Sequence, residues 1–194
     1  MPTLTLSVLR EKLKEWKGIE IAKNANPVLG EGNENAEIMF IGEAPGEQED
    51  KLGRPFVGPA GKFLDQLLEG IGLKRSDVYI SNVVKFRPPE NRDPTPEEKE
   101  ACMPWLQAEI AIIKPKVVVP LGRHALGHFF TTLSISAAHG KAQVLRRAEN
   151  DKDSMYVFPI YHPAAALHNP GLRQALIDDF AGLKAFLAAQ KKVS

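Results

Sequence analysis

The chain has 194 residues, 43% of them hydrophobic and 25% charged, with a formal net charge of +1. That length can bury a core without a disulfide or metal staple, and the single cysteine, Cys102, excludes an internal disulfide and any metal site built from cysteine alone. No run of about 18 or more apolar residues occurs, the N-terminal segment lacks an apolar signal core, and the near-zero charge gives no sign of a protein that coats nucleic acid, although it leaves room for a local basic patch. The expectation is one cytoplasmic domain over 1–194, a monomer with no membrane partner.

Leu6, Leu9, Leu13 and Trp16 recur three or four apart, which predicts a helix over 4–17. A polar linker rich in Gly and Asn follows at 24–35. Residues 36–41 (AEIMFI) predict a buried strand ended by Gly42. Over 59–71, Phe63, Leu64, Leu67, Leu68 and Ile71 share one face of a helix. Residues 78–84 (VYISNVV) predict a second strand, and 85–96, with four prolines, an exposed loop. Thr95 is placed to cap the next helix, with Pro96 in its first position, and this helix runs to Ile113. A third strand is predicted over 116–121 (KVVVPL) and a short helix over 122–131. Further strands are predicted over 134–147 and 154–161, joined by a charged turn at 148–153, with a last helix after Asn169-Pro170-Gly171. Strands alternating with helices predict an α/β fold with a parallel sheet covered on both faces. Ligands of such folds collect at the carboxyl ends of the strands.

Unusual residues gather at those ends. Gly42-Glu43-Ala44-Pro45-Gly46 is a tight turn that can bring backbone N–H groups and the Glu43 carboxylate to a ligand. The alternative is a plain turn running into a solvated acidic stretch. It is neither a dinucleotide fingerprint nor a Walker loop. Phe56, amid the glycines and prolines of 53–61, is either a platform on which a base stacks, worth about 1–3 kcal/mol, or a plug beneath its own loop. Asn82, at a strand end, offers an acceptor and a donor on one amide, or else bonds its own turn. His162 emerges as the last strand ends, placed to bond an oxygen that gains negative charge or to satisfy local structure. His124 and His128 have a metal-compatible spacing but no third ligand, so no metal is expected, and with His139 and His168 they read by default as structural or surface residues.

Seven segments in order carry a resemblance: VLGEGN (28–33), GEAPGEQED (42–50), GRPFVGPAGKFLDQLLEGIGL (53–73), VYISNVVKFRPPENR (78–92), VVVPLG (117–122), HGK (139–141) and HPAAALHNP (162–170). Together they resemble the family 4 uracil-DNA glycosylases, the iron–sulfur branch of that superfamily. The resemblance implies a three-layer α/β/α domain around a mainly parallel four-stranded sheet. It implies hydrolysis of the N-glycosidic bond of deoxyuridine in DNA, with uracil-containing DNA as partner. Glu43 and His162 would be catalytic: Glu43 assists water or the sugar cation, and His162 contacts uracil O2. Gly42, Glu49, Phe56 and Asn82 would bind the base, with Phe56 stacking, Glu49 near C5, and the Asn82 amide matching N3–H and O4. Cytosine presents the opposite edge. Leu167 would enter the duplex in place of the extruded base, and His168, Arg87 and Arg92 would contact DNA.

The sequence departs from the family in one respect. Family members hold a [4Fe–4S] cluster on four cysteines. Here the third position is Phe86, the fourth is Cys102, and the first two fall near Glu15 and Gly18. One cysteine cannot ligate such a cluster, so no cofactor is expected, and apolar packing by Trp16, Phe86 and Trp105 is expected in its place. No lysine stands in a motif position, so no Schiff base or strand cleavage is expected. Two rival readings remain: a non-catalytic DNA-binding module on the same fold, and a nucleotide- or nucleoside-processing enzyme.

Overall fold

The apolar runs at 38–41 and 117–119 leave no polar face for water: every residue of β2 (Ile38–Gly42) and β4 (Val117–Pro120) is buried, as strands covered on both faces must be. In the computed structural model, which describes residues 4–145 and 154–190, they form the centre of the sheet with β3 (Tyr79–Asn82) and β6 (Met155–Val157). These four strands pair in parallel, in the order β3-β2-β4-β6. Two short antiparallel strands extend the edges: β1 (Glu31–Gly32) beside β3, and β5 (Gln143–Leu145) beside β6. The sheet therefore has six strands rather than four. β1 lies inside the expected linker. The segment 134–147 is not a strand throughout: it opens with helix α7 (Ile135–Ala138), and Gly140, at φ 69°, turns the chain before β5. The charged turn expected at 148–153 lies outside the described residues.

Alternation along β2 sends Met39 and Ile41 to one face and Ile38 and Phe40 to the other. The first face is covered by α1 (Leu6–Glu15) and α5 (Pro96–Ile113), the second by α4 (Pro59–Gly70), α8 (Pro163–His168) and α9 (Gly171–Gln190). The remaining helices are α2 (Ile21–Asn24), α3 (Glu47–Leu52) and α6 (Gly122–Phe129). Thr5 caps α1 by accepting from the Val8 N–H at 3.3 Å, and the helix buries Leu6, Leu9 and Leu13. At the head of α5, Thr95 accepts from the Glu98 N–H at 3.2 Å while Glu98 accepts from the Thr95 N–H at 2.9 Å, a closed capping box with Pro96 in the first turn. Between α1 and α5, the Trp16 ring lies 5.8 Å from Phe86 and 5.7 Å from Trp105, with Phe86 and Cys102 fully buried beside them. No helix among the described residues is long and apolar enough to cross a membrane.

Candidate active site

Sheet register brings the distant motifs together. Gly42 pairs with Asn82 at the carboxyl ends of β2 and β3. The pairing continues beyond the strands: Val84 N–H donates to Glu43 O at 2.9 Å, Leu121 N–H to Ile41 O at 2.8 Å, and Gly122 N–H to Ile160 O at 2.8 Å. The result is a cleft of about 400 Å³ whose walls include Glu43, Glu49, Phe56, Asn82, Asp93 and His162.

Asn82 is 2% exposed, and its Oδ1 is buried without a hydrogen-bond partner. A buried acceptor left unpaired costs about 1–3 kcal/mol, so a donor from a ligand is the natural complement. Gly42 makes room for it: a Cβ at this position would lie 2.4 Å from Asn82 Oδ1 and 2.5 Å from Phe56 Cζ. Phe56 has a left-handed backbone, φ 52°, which a bulky residue rarely adopts. The Arg75 guanidinium holds it there, donating to the carbonyl of Phe56 at 2.9 Å and to that of Pro55, and pairing with Asp65 at 3.2 Å. Gly61 is required beneath this loop, since a Cβ would fall 1.9 Å from Phe56 O. The Phe56 ring is buried, lines the cleft and meets His162 at 5.6 Å between centroids. Glu49 also lines the cleft, and its carboxylate accepts from the N–H groups of Gly46 at 3.2 Å, Val57 at 2.8 Å and Gly58 at 2.7 Å. It thereby ties α3 to the Phe56 loop.

His162 caps α8, its Nδ1 accepting from the Ala164 N–H at 3.1 Å. Burial pushes the imidazole down to about 4, so the ring is neutral near pH 7. With Nδ1 occupied as an acceptor, the hydrogen-bond pattern assigns the one ring proton to Nε2, a donor. Behind it, Tyr161 packs 4.4 Å from the His139 ring, whose Nδ1 lies 2.9 Å from Asp179 Oδ1.

Glu43 is half-buried. Burial first, and the neighbouring Asp93 second, raise its carboxyl to about 7. His124, in α6, places Nε2 3.5 Å from Glu43 Oε1 and 3.1 Å from Asp93 Oδ2. One ligand atom from each of Glu43, Asp93 and His124 falls within 4.8 Å of the others, so this trio, not a His124–His128 pair, has the spacing of a cation site. Lys99 Nζ, 2.9 Å from His124 Nδ1, and Arg123, 2.6 Å from Asp93, already supply positive charge there.

Among the expected DNA contacts, Leu167 is 46% exposed on α8 and His168 stands in the cleft wall. Arg87 bonds Asn91 Oδ1 at 2.8 Å, and Arg92 lines the cleft while its guanidinium bonds both Glu98 oxygens, at 2.6 and 2.8 Å. Asp93, His124 and Arg75 were not singled out for the site by sequence reasoning. His124 had a usable signal, since it follows the end of β4 much as His162 follows β6.

Residues 29–182 match the family described as the Uracil DNA glycosylase superfamily. The chain is similar to the type-4 uracil-DNA glycosylase of Sulfurisphaera tokodaii, 50% identical over 188 residues that cover 94% of this chain and 82% of the relative. It is also similar to that of Archaeoglobus fulgidus, at 49% over 80% of this chain and 79% of the relative. For that of Thermotoga maritima the identity is 42%, over 94% of each chain. With the Gly42–Asn82 strand ends, the inward-facing Phe56 and the His162 cap in one cleft, the chain belongs to the uracil-DNA glycosylase superfamily, in its type-4 branch.

Proposed function

We propose that this cleft hydrolyses the N-glycosidic bond of deoxyuridine in DNA, releasing uracil and leaving an abasic site for base excision repair. The observation that carries the proposal is the unpaired Asn82 Oδ1 in the same cleft as the His162 donor. Uracil supplies the missing N3–H, and the Asn82 amide nitrogen donates to O4. Phe56 stacks on the base. As the C1′–N1 bond breaks, its electron pair moves into the uracil ring, and His162 Nε2–H stabilises the negative charge on O2. Water adds its oxygen to C1′, and Glu43 takes the proton released. Leu167 fills the space left by the extruded base, with His168, Arg87 and Arg92 near the DNA backbone. A non-catalytic DNA-binding module has no need of Glu43, Asn82 and His162 in one cleft.

As a base, Glu43 must be ionised, and its carboxyl is held near 7. The single-turnover rate is therefore expected to rise with pH up to about 7 and level off above it, because protonation below that point removes the acceptor. His162, neutral from about pH 4 upward, adds no second limb in this range. A rate independent of pH between 5 and 8 in the wild type would remove Glu43 as the base; Glu43→Gln is expected to flatten whatever slope exists.

The residues present do not fit an iron–sulfur cluster. Cys102 is the sole cysteine of the chain, and Phe86 stands at a ligand position of the family, packed with Trp16 and Trp105. Aromatic packing takes the cluster's structural place, and no step of the reaction passes through iron. Purified protein incubated with an iron chelator is expected to release uracil from a labelled oligonucleotide at its untreated rate. Activity abolished by the chelator would overturn the aromatic substitution, and no uracil release under either condition would overturn the glycosylase reading itself.

A further inference from the structure

We infer that the buried Lys85–Glu109 ion pair is a positioning device for Asn82, gripping the uracil-reading strand from behind the cleft. The inference rests on the glycosylase reading above. Both side chains are fully buried, with no exposure to solvent. Lys85 Nζ uses all three of its donors: one to Glu109 Oε2, one to Ser81 Oγ at 2.7 Å and one to the backbone carbonyl of Asn82 at 2.6 Å. Glu109, reaching in from α5, accepts from the Gly30 N–H at 2.7 Å, the Tyr79 hydroxyl at 3.0 Å and the Ser81 hydroxyl at 2.8 Å. Tyr79 and Ser81 lie on one face of β3, and Asn82 alternates to the other. The pair therefore holds the backbone of the reading residue without entering the cleft, and neither partner is among the cleft's lining residues.

Stability alone is a poor reason for this arrangement. Apolar side chains of similar volume usually stabilise a core as well as a buried ion pair does. What an apolar pair cannot supply is a charged donor on the Asn82 carbonyl, a bond stronger than a neutral one. The requirement for such a bond is geometric. Asn82 must meet two atoms of one base edge at once, and a displacement of about 1 Å can cost on the order of 10²-fold in rate.

The test is the double variant Lys85→Met/Glu109→Gln. Methionine fills the lysine's volume, and glutamine keeps an acceptor for Gly30 and Tyr79, but the donor on Asn82 O is gone. Three quantities are measured: the thermal midpoint, the binding of free uracil by competition, and the binding of abasic-site DNA. A folded double variant should bind abasic-site DNA like the wild type, bind free uracil roughly 10-fold more weakly, and release uracil from DNA roughly 10- to 100-fold more slowly. Wild-type uracil affinity and rate in that variant would overturn the inference, as would a parallel loss of abasic-DNA binding, which marks a merely structural role. If the double variant fails to fold, Glu109→Gln alone tests the same point, because it removes the anion that anchors Lys85 Nζ. Folded, it should bind free uracil roughly 3- to 10-fold more weakly with abasic-site DNA binding unchanged, and wild-type uracil affinity and rate there would overturn the inference. Failure of the wild-type protein to release uracil would sink the glycosylase reading instead, so the two failures are distinguishable.

Discussion

His162→Ala is expected to slow single-turnover uracil release by roughly 10²–10³-fold, the usual effect of losing one donor to a developing anion. The reasoning is specific to the ring's setting. Nδ1 is held by the Ala164 N–H, and burial keeps the imidazole neutral, so Nε2 carries one proton and faces no competing protonation near pH 7. A neutral donor bonds the carbonyl O2 weakly in the ground state and more strongly as charge grows on that oxygen, so the loss falls on the chemical step. Affinity for uracil-containing duplex should change less than about threefold, because His162 contributes no net charge to phosphate binding. His162→Gln keeps an N–H of similar reach and should recover part of the rate. A full rate in His162→Ala, or a rate loss matched by an equal loss of DNA affinity, would remove His162 from the reaction.

Asn82→Asp is expected to lower uracil release by on the order of 10²-fold or more, the scale of setting an acceptor against an acceptor in a buried site. Ionised aspartate meets N3–H acceptably but repels O4, whereas cytosine's amino group at the same position is a donor. Discrimination between the two bases should therefore narrow or reverse. Burial favours the protonated acid, which regains a donor, so the comparison belongs at about pH 8 or above, where the carboxylate is ionised. Asn82→Leu, which has neither donor nor acceptor, should be inactive at every pH. Equal uracil kinetics in folded Asn82→Asp and wild type would show that another group reads the base.

The parts legible in the sequence were those whose signal is local. Gly42 and His162 each follow an apolar run and Asn82 lies near the end of another, and parallel strands bring such ends to one edge. The helices over 59–71 and 96–113 announced themselves by periodicity and by Thr95-Pro96. What the sequence withheld depends on partners far along the chain. Glu109 meets Gly30 across 79 residues and Lys85 across 24, and no local pattern joins them. Arg75 holds the Phe56 carbonyl from 19 residues away. Edge strand β1 was missed because it is only two residues long and draws its definition from β3, whereas the three residues of β5 fell inside a strand expected over 134–147 that the structure shortens. Helix α3 was hidden in an acidic run that reads as solvated loop, yet Glu49 in its first turn closes on the N–H of Gly46.

The chain holds two tryptophans, and both sit in the aromatic group around Phe86. Intrinsic fluorescence excited at the indole band therefore comes from one place, the seam between α1 and α5. Phe86 begins the proline-rich loop that runs on through Arg87 and Arg92 to Asp93 in the cleft wall. An unlabelled emission trace thus watches the seam behind the loop that carries Arg87 and Arg92, and a spectral shift on adding substrate would time that loop's adjustment separately from the chemistry in the cleft.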